Sequence, residues 1–416
     1  MRVWILQTGE PLQIDQYGMR PMRAINLSNA LLERGHEVVL WSSDFDHFSK
    51  TFRCGANKEI KVSNHLTIRL IKSRGYNSHV GVGRLIDHME LAWNLRKLLR
   101  KETAPDIAFI GYPPIEPAWV LSRWLHKKNV PFILDVKDAW PKLLVDAFPA
   151  PVRFFARLAL HPYFAMMRTS FTKATAISSV SKNFLSWSLN QIGLQTRSLD
   201  KVTPLVSERL VHNKSQQESA SKWWDERGIQ NTDKLRLYFV GSITESFDFN
   251  PFLEVARQLP IEIVIAGDGP KRAELLTLTE HLPNVIVPGW ISTAQASVLI
   301  ERSDLAIAPV VDREDFAMSI PNKFFDAMQH GKPMITSIQG PAADLLHKHR
   351  SGFTYSPYSD ELKKLLEQLI NNPNILNEAG RHALEIYEEK YNPHMIYGQL
   401  CLHLETLVSM QRESCN

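Results

Sequence analysis

"SIPNKFFDAMQHGKPMI", residues 319–335, opens on a proline, closes on Gly331-Lys332-Pro333, and carries Lys323 and Asp326 in an otherwise apolar run. Pro321 suits the first turn of a helix, because its ring fixes a helical φ and its missing N–H would be unpaired there. Gly331 supplies the stop, and Lys332-Pro333 prevents a restart. The spacing predicts a helix of about two and a half turns, with Phe324, Phe325, Ala327 and Met328 turned to a core. Lys323 and Asp326 stand three apart and share a face. Free N–H groups at the helix start attract phosphate. The segment therefore reads either as a core helix with a solvated Lys323–Asp326 ion pair or as the wall of an anion site.

Outward from this segment, strand-like and helix-like runs alternate. "RVWILQ" at the start is an apolar strand, 22–34 has helical spacing, Gly35-His36 caps it, and "EVVLWSS" is the next strand. That is a βαβ unit and implies a parallel sheet. The alternation continues through "LTIRLIK", a helix over 85–101, "DIAFIGY", a helix over 118–128, "PFILDV" and "KATAISSVS". A polar stretch, 207–234, breaks the pattern. It restarts with "LRLYFVG", "IEIVIAGDG", "NVIVPGW", "LAIAPVV" and "KPMITS". Two doubly wound α/β domains in tandem are the simplest architecture, with ligands at the carboxyl ends of the strands and a natural site in the cleft between the domains. An amphipathic run over 384–410 ends the chain, free to pack back on the first domain.

Composition narrows the function classes. A chain of 416 residues exceeds one ordinary core, and 44% hydrophobic with 22% charged residues fits neither a disordered nor a membrane-spanning protein. No apolar run reaches the roughly 18 residues needed to cross a bilayer, and "MRVWILQTGEPL" reads as a strand, not a signal peptide. Cys54, Cys401 and Cys415 lack metal spacing and suit a reducing cytoplasm. A net charge of +4 gives no case for nucleic acid. The charge is uneven, however: 147–199 has no acidic residue but holds Arg153, Arg157, Arg168, Lys173, Lys182 and Arg197. Its "PVRFFARLALHPYFAMMRTSF" interleaves Arg with Phe, Leu and Met. It reads either as a helix on an anionic membrane surface or as a core helix with a basic outer face.

Three glycine loops fall where strands end. Gly241-Ser242 follows "LYFV", Gly267-Asp268-Gly269-Pro270 follows "IVIA", and Gly289-Trp290 follows "VIV". Glycine lets a backbone approach a ligand, and a turn into a helix presents N–H groups to an anion. "GDGPKRAEL" is not a dinucleotide fingerprint, and no Walker loop or Gly-x-Ser-x-Gly elbow occurs. Asp44 and Asp46 are a conceivable carboxylate pair for a metal, but no histidine cluster with ligand spacing supports them.

In order and content these motifs resemble the glycosyltransferases of family 4, which have the GT-B fold of two facing Rossmann-like domains. The resemblance rests on "YGMRPMRAINLSNALLERGHEV", "DVKDAWP" at 135–141, "FVGSITES", "IAGDGPKRAEL", "GWIS" and above all "PNKFFDAMQHGKPMI". The last, with "DVKDAWP", is similar to the bacterial branch that builds surface polysaccharides such as O-antigen, lipopolysaccharide or capsule. It implies an acceptor-binding domain over 1–205, a donor-binding domain over 206–383 and a helical segment over 384–416. The implied reaction moves a hexose-type sugar from a nucleoside-diphosphate sugar to a glycan or polyprenyl-diphosphate-linked acceptor, with retention and with no metal or other cofactor. The enzyme would be cytoplasmic, with peripheral attachment to the membrane.

The resemblance also assigns residues. Ile320, Pro321, Asn322 and Lys323 would form the diphosphate nest and Asp326 would hold the ribose hydroxyls, where the family more often has Glu. Gly18, Gly241, Ser242, Gly267, Gly269 and Trp290 join them as donor contacts, and Asp138 with Lys137 are the catalytic candidates. Three departures stand out. Met318 occupies the position of a second acid, leaving sugar contacts to Glu314 or Asp315. "GSITESFDFN" lacks the usual Arg and Lys, for which Lys323 is the substitute. Lys137 stands where relatives have His. A sugar-nucleotide 2-epimerase of the same architecture, or a non-catalytic partner subunit that binds nucleotide or membrane, are the competing readings; the first would form product from donor alone.

Overall fold

The computed structural model describes residues 1–15, 20–77, 81–357 and 360–415. They form two units: one of 1–15, 21–205 and 393–415, the other of Arg20 and 206–392.

In the first unit the continuous apolar runs become strands buried on both faces, as parallel sheets require. The strands are β1 (Arg2–Leu6), β2 (Glu37–Ser43), β3 (Lys58–Lys61), β4 (Leu66–Ile71), β5 (Ile107–Tyr112), β6 (Phe132–Val136), β7 (Ala176–Ser179) and β8 (Lys201–Val202). Their order is β3-β4-β2-β1-β5-β6-β7-β8, parallel except for β3, which runs antiparallel to β4. The helices that matter below are α1 (Arg23–Glu33), α2 (Val82–Leu98), α3 (Ile115–Lys127), α4 (Arg153–Ala159) and α5 (His161–Lys173). Strand order reverses between β1 and β5, which opens a crevice at their carboxyl ends. Asp44 and Asp46 build the turn after β2: Asp44 Oδ1 accepts from Cys54 N–H at 2.7 Å, and Asp46 from the Ser49 hydroxyl at 2.6 Å. Both carboxylates are thereby engaged in fold contacts.

The second unit begins with a helix in the stretch that reads from composition only as a polar break. Asn213 and Gln216 form a capping box at the start of α6 (Lys214–Asp225), and Trp224 is wholly buried at its end. Strands β9 (Arg236–Val240), β10 (Glu262–Ala266) and β11 (Val285–Gly289) precede α7 (Thr293–Glu301). Then come β12 (Leu305–Ala308), α8 (Asn322–Met328), β13 (Met334–Thr336) and β14 (Gly352–Thr354). The sheet order is β11-β10-β9-β12-β13-β14, all parallel, with its switch point between β9 and β12.

The terminal run does not form one helix from 384. Helix α9 (Asn374–Ile386) passes through a wide π-turn at Tyr387–Tyr391 and breaks before Pro393, whose ring removes a helical N–H. Only α10 (Pro393–Cys415) belongs to the first unit, where it packs on α1 and β5. Arg34 clamps Glu405 of α10 through two bonds of 2.8 Å, and His36 adds one of 2.7 Å. The Arg34 bonds hold the Glu405 carboxyl well below the usual carboxylate range. Among the described residues no helix is long and apolar enough to cross a membrane.

Candidate functional site

The loops after β9, β10 and β11 are hydrogen-bonded to one another. Gly241 N–H donates to Ala266 O (3.0 Å), Gly267 N–H to Gly289 O (2.7 Å) and Ile243 N–H to Asp268 O (2.9 Å). A Cβ at Gly267, where φ is +145°, would lie 1.8 Å from Gly241 O, so only glycine permits this approach. Gly269 N–H donates to Asp268 Oδ1 at 2.8 Å. The glycine amides are therefore taken up within the rim of the sheet and are not held open for an anion. Ser242 is exposed beside them.

What stands at the end of β9 instead is a cation. Lys323 Nζ donates to Val240 O at 2.6 Å and lies 4.3 Å from the centre of the Phe239 ring. A Cβ on Gly241 would come within 1.8 Å of that nitrogen. Gly241 thus makes room for the ammonium at a strand end whose following residues, "GSITESFDFN", hold no basic side chain. Burial brings Lys323 down to about 8, against the opposing pull of Asp326.

Helix α8 differs from its sequence expectation in two respects. Pro321 is extended (φ −60°, ψ 145°) and caps the helix from outside, accepting from Phe324 N–H at 3.0 Å, so the helix is shorter than the sequence suggests. Ile320 and Asn322 flank this cap, half-buried. Asp326 does not pair with Lys323; it forms an ion pair with Arg20 at 2.7 Å. The solvated Lys323–Asp326 pair is therefore corrected: each charge has its own partner, because Lys323 reaches up to β9 and Asp326 turns toward Arg20.

Between α7 and α8 lies a cavity of about 210 Å³, with Lys323 and Asp326 on one wall, Ile291 and Ala296 on another, and Tyr238 and Ala306 on its floor. Ser292 at its edge caps α7 with Gln295 in a capping box. Trp290 stands exposed outside the cavity lining, just past β11. Gly18 lies outside the described residues, as do the side chains of Glu314 and Asp315. Sequence reasoning missed Arg20 and Tyr238. Arg20 sits within the quoted "YGMRPMR" stretch, whereas Tyr238 looks like any strand aromatic.

A second cavity, of about 230 Å³, opens at the carboxyl ends of β1 and β5 in the first unit, lined by Gln7, Glu10, Arg84, His88, Lys137 and Asp138 among others. Lys137 is tied to Glu10 by a 2.6 Å bond, and Glu10 also accepts from Ala24 N–H at 2.8 Å near the start of α1. Asp138 is exposed at the rim. Behind it, His88 Nδ1 lies 3.8 Å from Glu116 Oε2. Burial pushes the Glu116 carboxyl up to about 7 and the His88 imidazole down to about 3, so near neutrality they do not form a full ion pair. Glu10, Arg84, His88 and Glu116 are all additions to the sequence reading.

Residues 22–198 match the family model described as Glycosyltransferase Family 4, and residues 234–372 match Glycosyl transferases group 1. No curated protein matches the chain. Among solved structures, sucrose-phosphate synthase from Thermosynechococcus elongatus is similar with a TM-score of 0.71 and 13% identity, covering 98% of this chain and 99% of that one. HepE of Anabaena, solved in complex with UDP, has a TM-score of 0.66 and 15% identity over 98% and 99%. WaaG, a glycosyltransferase involved in lipopolysaccharide biosynthesis, has a TM-score of 0.65 and 14% identity over 97% and 99%. At these identities the likeness is one of fold, that of two Rossmann-like parallel-sheet domains.

Proposed function

We propose that this chain, a glycosyltransferase of two Rossmann-like domains as in the GT-B fold, moves a sugar from a nucleoside-diphosphate sugar to a glycan or lipid-linked acceptor in bacterial surface-polysaccharide synthesis, with retention of configuration and without a metal. The observation that carries this reading is the placement of Lys323 and Asp326: one short helix sets an ammonium at the end of β9 and a carboxylate in the wall of the adjoining cavity. As the glycosidic bond breaks, negative charge develops on the departing diphosphate, and a preorganised cation stabilises that charge more than the ground state. A carboxylate suits the ribose diol because its oxygens accept from adjacent hydroxyls. Asp138, at the rim of the first unit's cavity, would contact the reacting sugar or acceptor, with Lys137 held beside it by Glu10. The UDP complex of HepE and the lipopolysaccharide role of WaaG lend support to the donor and pathway class.

Replacing Asp326 tests the donor assignment. Asp326→Ala is expected to lower UDP affinity about ten- to hundredfold, the equivalent of losing charge-assisted hydrogen bonds worth roughly 1.5 to 3 kcal/mol. Asp326→Glu should keep most of the binding. Calorimetry with UDP and its 2′,3′-dideoxy analogue separates the roles. If the ribose hydroxyls matter as much to Asp326→Ala as to wild type, Asp326 serves only Arg20. Incubation with donor alone tests the epimerase alternative, for which product would form without acceptor.

The membrane part of the proposal draws on α4. Phe154, Phe155 and Leu158 are 72%, 65% and 64% exposed there, interleaved with Arg153 and Arg157, whereas α5 buries Phe164, Met167 and Phe171. Apolar side chains beside cations suit an anionic lipid surface, to which each basic residue contributes about 1 kcal/mol. Changing Phe154 and Phe155 together to Ser is expected to lower binding to phosphatidylserine vesicles at least about tenfold, given about 25 cal/mol per Å² of apolar burial. Salt should weaken the wild-type interaction. Co-sedimentation that is indifferent to both changes would remove the membrane from the proposal.

A further inference from the structure

We propose that the Tyr238 hydroxyl reads the base of the bound nucleotide, donating to a ring carbonyl and so favouring a keto-pyrimidine; this rests on the donor reading above. Tyr238 lies in the middle of β9, 5% exposed, and its hydroxyl has no hydrogen-bond partner among the described residues. Such a group is uncommon in a folded interior, because the donor has lost water and gained nothing in return. It lines the same cavity as Asp326 and Lys323. A ligand that brings an acceptor there removes the penalty.

The rest of the cavity narrows the choice of ligand. Its volume of about 210 Å³ falls below the roughly 300 to 1,000 Å³ of pockets that enclose a whole ligand, so it suits the nucleoside portion with a single-ring base, leaving the diphosphate at Lys323. The apolar lining includes Ile291, Ala296, Ile300 and Ala306, with Ser292, Thr293, Ser297 and His330 among the polar residues; the apolar part accommodates a flat ring, and the Tyr238 hydroxyl is an unpartnered buried donor of this cavity. With the ribose diol on Asp326, the base extends from the same sugar into this apolar part. Burial, reinforced by the nearby Asp326 charge, raises the Tyr238 phenol far above its ordinary range, so it stays protonated and acts as a donor. Uracil and thymine carry carbonyls that accept on a single ring; adenine's acceptors are ring nitrogens of a two-ring base, which the cavity volume does not favour.

The experiment compares UDP and ADP binding to wild type, Tyr238→Phe and Asp326→Ala by calorimetry, with thermal unfolding of the free proteins alongside. Wild type is expected to prefer UDP. Tyr238→Phe should lose about three- to tenfold in UDP affinity, the range of one neutral hydrogen bond, with ADP unchanged. Its Tm should be equal or higher, since the substitution deletes an unpartnered hydroxyl and keeps the ring. UDP binding that is unchanged in Tyr238→Phe but lost in Asp326→Ala overturns the base-reading role and leaves the donor site standing. Equal losses for UDP and ADP, or a lowered Tm, also overturn it, because the hydroxyl then supports the fold. Failure of wild type to bind either nucleotide overturns the donor reading itself.

Discussion

Asp135→Ala is expected to destabilise the first unit by about 3 to 5 kcal/mol, the cost of leaving one member of a buried ion pair without its partner. Asp135 lies within β6 and Arg23 opens α1; both side chains are wholly inaccessible, and they stand 3.2 Å apart. Arg23 also donates to Thr203 O at 2.6 Å and to Pro204 O at 3.4 Å. One guanidinium therefore joins the central sheet, the first helix and the chain just past β8. Removing Asp135 leaves the buried Arg23 charge with the Thr203 and Pro204 carbonyls and the Tyr397 ring, 6.0 Å away, as its partners among the described residues. A second substitution, Arg23→Met, removes that charge, so the double variant should be more stable than the two single losses added together. Urea denaturation followed by fluorescence tests this, read on the first unit's own transition, because a chain of two units need not unfold in one step. A loss below about 1 kcal/mol for Asp135→Ala, in the range of an exposed ion pair, would show that the pair is hydrated.

This pair also bears on how much the sequence discloses. "DVKDAWP" shows two acids and a lysine, and nothing local separates their roles. The structure divides them: Asp135 is locked in the fold, while Lys137 and Asp138 line a cavity. Long parallel strands such as "RVWIL" and "LRLYFV" were legible because burial on both faces demands continuous apolar runs. Strands β3, β8 and β14 were not: they are short and lie at or near sheet edges, and β3 and β8 carry lysines facing solvent. Helix α6 was hidden by its polar composition, although Asn213 and Gln216 spell its cap. In the site, Lys323 and Asp326 could be found from their own segment. Their partners could not, since Val240 and Arg20 are brought in by tertiary folding and no spacing rule connects them.

Lys323→Met is expected to lower kcat by about 10² to 10³, the range found when one preorganised group facing developing negative charge is removed, and to abolish a pH dependence that wild type should show above pH 8. Burial is the main cause that takes the ammonium down from 10.5 to about 8, with Asp326 opposing it and Arg20 adding to it. In the unfolded chain the same lysine titrates near its ordinary value. Below about pH 8 both states hold the proton, and the folded protein bears the full cost of a buried ammonium. Between about pH 8 and 10.5 the unfolded chain binds the extra proton, so this lysine's contribution to stability becomes more favourable as pH rises. Nucleotide binding runs the other way. A diphosphate beside Nζ favours the charged form, so its affinity should fall as pH rises through 8, and binding near pH 8 should take up a proton. Calorimetry of UDP in buffers of different ionisation enthalpy detects that uptake, and it should vanish in Lys323→Met. The variant also deletes the bond to Val240 O, so its Tm must be compared at pH 7 to establish that it is folded. A folded variant with wild-type kcat, or wild-type affinity that is flat from pH 7 to about pH 9.5, would remove Lys323 from the donor site and leave its ammonium as a clasp between α8 and the end of β9.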